Sequence, residues 1–256
     1  MKLTKIFSTI AFLSLQLGCI SQQSKNVDFS VQDQLLANVY DKYYENRLDY
    51  GDSYGEARDT ILIRFRETLL KVISDKESIS HSFDSLNSKI KIIVSEDQKL
   101  RIFSWDELNG GTWHIYNSIF QYKENEMYSF GDLKIVQKTP NSSSYSDVAY
   151  VHIDKLSDTE YLLKGYGTHG GGQDFYVFRK ITFKNNQARD CDRCFNGENQ
   201  LLFIKPRADK TSPVFKSSSN TIELPEYKEN ENTGFLEKTG NTITHSYKNG
   251  NFIKTE

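Results

Sequence analysis

The spacing of apolar residues changes near residue 89, and that change limits the folds open to the chain. Before it, apolar side chains recur at every fourth position, as Val31, Leu35, Val39 and Tyr43 and again as Ala57, Ile61, Phe65, Leu69 and Ile73. A stripe of this kind is what one buried face of an α-helix leaves in a sequence. After it, Ile90, Ile92 and Val94 alternate with polar residues, and Leu100 to Trp105 continues strand-like. A period of two belongs to a strand with two distinct faces. Further strand-like runs cover 113–122, 126–137, 147–153, 159–166, 174–183, 200–204, 220–224, 242–247 and 252–254, and the turns between them, such as Asn249-Gly250, are of the hairpin kind. Connections this short cannot cross over to a parallel neighbour, so the pairing is expected to be antiparallel. The expected fold is α+β: a helical hairpin over 30–88, covering a sheet face or edge, then a mainly antiparallel β-meander over 89–256, sandwich or barrel-like.

The helix starts also carry local signals. Ser30 with Asp33 three residues on resembles a capping box, and Ser53 with Glu56 repeats it. The first helix is expected to end near Gly51, and two helices joined by so short a loop pack antiparallel.

The amino end reads as an export signal. Lys2 and Lys5 precede an uncharged run from Ile6 to Leu17, which Gly18 and Cys19 follow. As a helix that run reaches roughly 18 Å, against about 30 Å of bilayer hydrocarbon, so it does not span a membrane. Residues 1–18 are therefore expected to be a cleaved signal peptide. Residues 19–29, polar and without period, form a tether ahead of the folded part.

Leu15-Gln16-Leu17-Gly18-Cys19 resembles the lipobox of bacterial lipoproteins, with Gln16 where that family usually has an aliphatic residue. The resemblance implies a diacylglyceryl group on Cys19 and attachment to the bacterial cell envelope. Ile20, where aspartate would favour the inner membrane, points to the outer membrane; an ordinary secretory cut is the alternative. The segment Ser95 to Asp106, continued through Gly110-Gly111-Thr112, is similar to a group of uncharacterised exported bacterial proteins that share a Ser-x-Asp-x-Lys-Leu-Arg-Ile-x-Ser-Trp-Asp pattern. That likeness implies a shared piece of fold and brings no activity with it.

Charge narrows the partners. Lys and Arg number 32 against 34 Asp and Glu, and two of the lysines leave with the leader. Phosphate-driven binding needs clustered cations, and no basic run occurs, so nucleic acid is not an expected partner. With Cys19 used for lipid, Cys191 and Cys194 form the remaining pair, and in an oxidising compartment they read as one disulfide. Asp190 and Asp192 beside them oppose the thiolate that a redox motif would need. No Cys or His lies near enough in sequence to complete a zinc site, and no metal or cofactor is expected.

Two strings invite a catalytic reading. Gly51-Asp52-Ser53-Tyr54-Gly55 matches the G-x-S-x-G of serine hydrolases, but the strand before it and the β/α alternation after it are missing, so Ser53 reads as a helix N-cap. Gly165 to Gly172 surrounds His169 with glycines and reads as a long hairpin loop. Tyr166, His169, Asp174 and Tyr176 would there form a ligand rim, or His169 and Asp174 an acid/base pair. Trp105, Trp113, His114 and Tyr116 crowd one hairpin, as core or as an exposed aromatic row. With no coherent catalytic set, the expectation is a non-catalytic envelope lipoprotein, held to the membrane by its lipid, that binds a protein or glycan partner, of inhibitor or immunity type. An envelope hydrolase using His169 and nearby acids is the alternative, and a structural component of an envelope assembly the third.

Overall fold

A computed structural model describes residues 27–46, 54–109, 111–133, 148–185 and 187–255. The leader, Cys19 and Ser53 lie outside the described residues.

Helix α1 spans Phe29–Asn46 and α2 spans Tyr54–Ile73, and the two pack against each other. The cap of α1 is Asp28 and not Ser30: the Asp28 carboxylate accepts the N–H groups of Ser30 at 3.0 Å and Val31 at 3.3 Å. Its buried face also differs from the expected stripe. Val31 is 59% exposed and Leu35 42%, while Leu36, Ala37, Tyr40 and Tyr43 are buried. A strict fourfold repeat advances about 40° around the helix at each step, because a turn takes about 3.6 residues. The mixed spacing Leu36–Tyr40–Tyr43 holds one face, and the run from Val31 drifts off it. In α2 the stripe does go inward, with Phe65, Leu69 and Ile73 fully buried. A 3₁₀ turn at Lys76–Ser80 and a short helix α3, Asp84–Asn87, lead into the first strand.

Among the described residues the strands form three consecutive antiparallel sheets. The first holds β1 (Lys91–Val94), β2 (Leu100–Asp106), β3 (Tyr116–Glu124) and β4 (Met127–Asp132) in chain order. The second holds β5 (Ala149–Lys155), β6 (Glu160–His169), β7 (Gln173–Lys184), β8 (Gln187–Asp190) and β9 (Gln200–Pro206). Both β8 and β9 pair with β7, at its two ends. The third holds β10 (Val214–Lys216), β11 (Thr221–Glu229), β12 (Leu236–Lys248) and β13 (Asn251–Thr255). All three are open, so among the described residues the meander does not close into a barrel.

Alternation sorts the core into layers. On β2, Phe103 and Trp105 join Leu36, Phe65 and Leu69 in a cluster under the helices, while Leu100 and Ile102 join Tyr161, Phe175 and Val177 of the second sheet. On β7, Phe175, Val177 and Ile181 face the first sheet, and Phe178 packs with Ile222, Leu224 and Phe252 of the third. The order is helices, first sheet, second sheet, third sheet, with the second sheet covered on both faces. One sealed polar pair bridges the layers: Ser104 Oγ lies 2.8 Å from Ser118 Oγ and accepts the Tyr150 N–H at 3.0 Å, tying β2 and β3 to β5.

Candidate functional site

The expected long glycine loop is strand for half its length. β6 runs to His169, which pairs with Gln173, so the turn is only Gly170–Gly172, where Gly171 and Gly172 take positive φ. The register decides which candidate residues meet. Tyr166 pairs with Tyr176 and Thr168 with Asp174, and since residues two apart share a face, Tyr166, Asp174 and Tyr176 project together. His169, one position out of phase, belongs to the opposite face. There its ring lies 4.8 Å from that of Trp113 and its Nδ1 is 3.1 Å from the Gly170 carbonyl oxygen.

Tyr166, Asp174 and Tyr176 line a pocket of about 380 Å³, within the range of about 300 to 1,000 Å³ usual for small-molecule sites. The two tyrosine rings are 5.4 Å apart. The Tyr166 hydroxyl donates to Asp174 Oδ2 at 3.0 Å. Burial, reinforced by that carboxylate, pushes the Tyr166 phenol up to about 12, so it stays a donor at neutral pH. Asp174 is 5% exposed and also accepts Arg207 Nε at 2.8 Å, with Lys205 Nζ 3.8 Å away.

The rest of the lining escaped sequence reasoning, and it is mostly basic: Lys164, Lys205, Arg207 and Lys210. Lys164 shares the face of Tyr166. Lys205 continues the inward face of β9 from Leu201 and Phe203, its partners across the ladder being Asp174, Phe178 and Tyr176 respectively. The signal was the charge-dense run Lys205-Pro206-Arg207-Ala208-Asp209-Lys210 directly after an apolar strand. Arg207 acts as a clasp. Its Nη2 lies within hydrogen-bond range of the carbonyls of Thr112, His169 and Gln173, at 3.0, 3.0 and 3.1 Å, which pins the β6–β7 turn and the β2–β3 loop to β9. Across the pocket Asp209 accepts the Thr211 N–H and the Tyr227 hydroxyl, each at 2.6 Å, and hydrogen bonds from Thr211 and Tyr227 hold its carboxyl well below the usual range.

The aromatic hairpin divides into core and surface. Trp105 is buried against Phe65, ring centroids 5.4 Å apart. Trp113, His114 and Tyr116 are half-buried beside the pocket's end of β6, where the His114 N–H donates to Thr168 Oγ1 at 2.9 Å. His114 Nδ1 lies 2.5 Å from Asp106 Oδ2, and its ring stacks on Tyr116.

Cys191 and Cys194 lie at disulfide distance with Cα atoms 5.8 Å apart, in the connection between β8 and β9. The loop they close joins the third sheet. Phe195 stacks on Phe252 with centroids 5.1 Å apart, and the Phe252 N–H donates to the Cys194 carbonyl at 2.6 Å. Among the described residues no cluster of three or more His, Cys, Asp or Glu is placed to hold a metal, and no helix is long and apolar enough to cross a membrane. Comparison with protein-family models, curated proteins and solved structures gives no match to this chain.

Proposed function

We propose that this chain is a non-catalytic lipoprotein of the bacterial cell envelope, anchored through Cys19, that binds a protein or glycan partner on the second sheet and its adjoining loops. The observation that carries the reading is the pocket in which Tyr166, Asp174 and Tyr176 converge with four basic side chains. Rings and hydrogen-bonding groups in one concavity are the means by which a rigid β scaffold selects a ligand. The pocket's polar groups are already braced by one another, Asp174 by Tyr166 and Arg207, which suits holding a ligand more than turning it over.

Two measurements test this. Labelling of the full chain with radioactive palmitate in a bacterial host should mark it and should fail in Cys19→Ser, and an unlabelled native chain would remove the anchor. Affinity capture from the native envelope should retain a partner that a Tyr166→Ala/Tyr176→Ala variant loses, and an unchanged set of captured molecules would remove the assignment to this pocket.

One observation favours a hydrolase as the second reading. His114 has its Nδ1 fixed by the Asp106 carboxylate, an arrangement that orients an imidazole as a general base. Turnover of ester or glycoside probes by the full chain, abolished in His114→Ala, would establish that reading in place of the first.

A further inference from the structure

We infer that the ligand of this pocket is an acidic glycan, and that the Lys164 ammonium is the contact for a sugar carboxylate. The inference rests on the binding reading above and narrows it to a chemical class.

Charge in the pocket does not balance. The two carboxylates are engaged, Asp174 by Arg207 Nε and the Tyr166 hydroxyl and Asp209 by Thr211 and Tyr227. Lys205 is 3% exposed and turned to the Pro206 and Asp209 carbonyls. Lys164 and Lys210 make no ion pair with a carboxylate among the described residues, and Asp154 acts on Lys164 only from beyond contact distance. The Lys164 ammonium donates to Ser212 Oγ and to the Pro213 carbonyl, each at 2.7 Å, and lies 5.1 Å from the centre of the Tyr176 ring. Those two neutral acceptors leave one of its three N–H donors for a ligand. Burial also lowers its pKa from the usual lysine value, the mark of an ammonium partly stripped of water. A positive group in that state, in a cavity with surplus positive charge, attracts an anion more strongly than a solvated lysine does.

The other lining groups say which anion. Tyr166 and Tyr176, half-buried in the pocket lining, add apolar ring surface that the C–H groups of a pyranose can meet. Asp174 and Asp209 oxygens keep lone pairs for sugar hydroxyls. Rings and hydroxyl-accepting oxygens in the lining have no use for a bare inorganic ion, so a sugar carrying the negative charge suits the site better than free phosphate.

Isothermal titration of the full chain tests this with trigalacturonate, N-acetylneuraminic acid and N-acetylmuramic acid, the methyl ester of each, and inorganic phosphate. At least one acid should bind about tenfold or more tightly than its ester, with affinity falling as salt rises. Lys164→Met should remove that preference and Lys164→Arg should keep it. Lys210→Gln, at an exposed position that does not endanger the fold, should weaken the acid about threefold. Equal binding of acid and ester with loss in Tyr176→Ala would overturn the acidic class and leave the binding module standing. Phosphate outcompeting every sugar acid, or Lys164→Met binding as the native chain does, would likewise overturn it. No binding of any sugar, together with envelope capture indifferent to the tyrosines, would overturn both readings.

Discussion

The carboxylate of Asp33, in α1, accepts the backbone N–H of Leu86 at 2.9 Å and that of Ser85 at the same distance, so one helix supplies the N-terminal cap of another, α3, more than fifty residues away. Asp33 is 4% exposed and Leu86 is fully buried. A four-residue helix has no cooperative length to sustain it, and its position therefore depends on this contact.

Asp33→Ala leaves one buried and one partly buried donor unpaired and should cost about 2 to 3 kcal/mol. Asp28→Ala, which removes the exposed cap of α1 itself, should cost about 1 kcal/mol. Urea unfolding of both variants measures the difference, and equal losses would refute the special role of Asp33.

At Gly165, β6 passes against the Val148 side chain, just ahead of β5. A Cβ built there would lie 2.6 Å from Val148 Cγ2 and 2.9 Å from Val148 Cβ. Gly165→Ala should therefore destabilise by about 1 to 3 kcal/mol, as overpacking of a core does. Val148→Ala in the same chain should recover part of that loss, giving a coupling energy in a double-mutant cycle. Additive effects would show that the clash is relieved elsewhere.

Cys191→Ser with Cys194→Ser should lower stability by about 2 kcal/mol, the chain-entropy value for so short a loop. Because the Cys194 carbonyl also accepts the Phe252 N–H, the loss should fall first on the third sheet. Hydrogen exchange of β11 to β13 should then rise more than that of β2 and β7. Uniform acceleration would show that the sheets unfold together.

What could be read from the sequence follows burial. Strands buried on both faces, such as β2 and β7, carry apolar residues where the sheet needs them and were legible to within a residue or so, whereas in β11 only the alternating first half was, and its polar end to Glu229 was not. β8, β10 and the first half of β12 are mostly exposed and leave no alternation to detect. For the site, proximity in sequence misled: His169 stands close to Tyr166 and Asp174, yet a two-residue period puts it on the other side of the sheet. Lys205 and Arg207 reach the pocket through the β7–β9 pairing, and that contact depends on strand order, which local patterns do not encode.

Acid should unfold the chain in two separable stages. His245, 5% exposed, has its pKa lowered by burial and then by Lys254, so the native state holds it neutral, and protonation is resisted in the fold but free in the unfolded chain. The resulting loss of stability begins as pH falls below about 6.5, the unfolded value. The second stage belongs to carboxylates. Burial raises Asp97 and Glu160, yet hydrogen bonds prevail and leave both below their ordinary values: from Ser95 and Tyr161 for Asp97, from Lys180 and Tyr247 for Glu160. Groups shifted in that direction contribute stability that is complete above their unfolded values of about 4 and is lost as pH falls through the folded ones. Urea midpoints measured from pH 7.5 to pH 2.5 should therefore show a shallow decline near pH 6 that His245→Gln removes. A steeper decline below pH 4 should be reduced by Asp97→Asn or Glu160→Gln, each of which also lowers the plateau at neutral pH. Acid limbs that superimpose on the native one in all three variants would mean that other groups drive the loss.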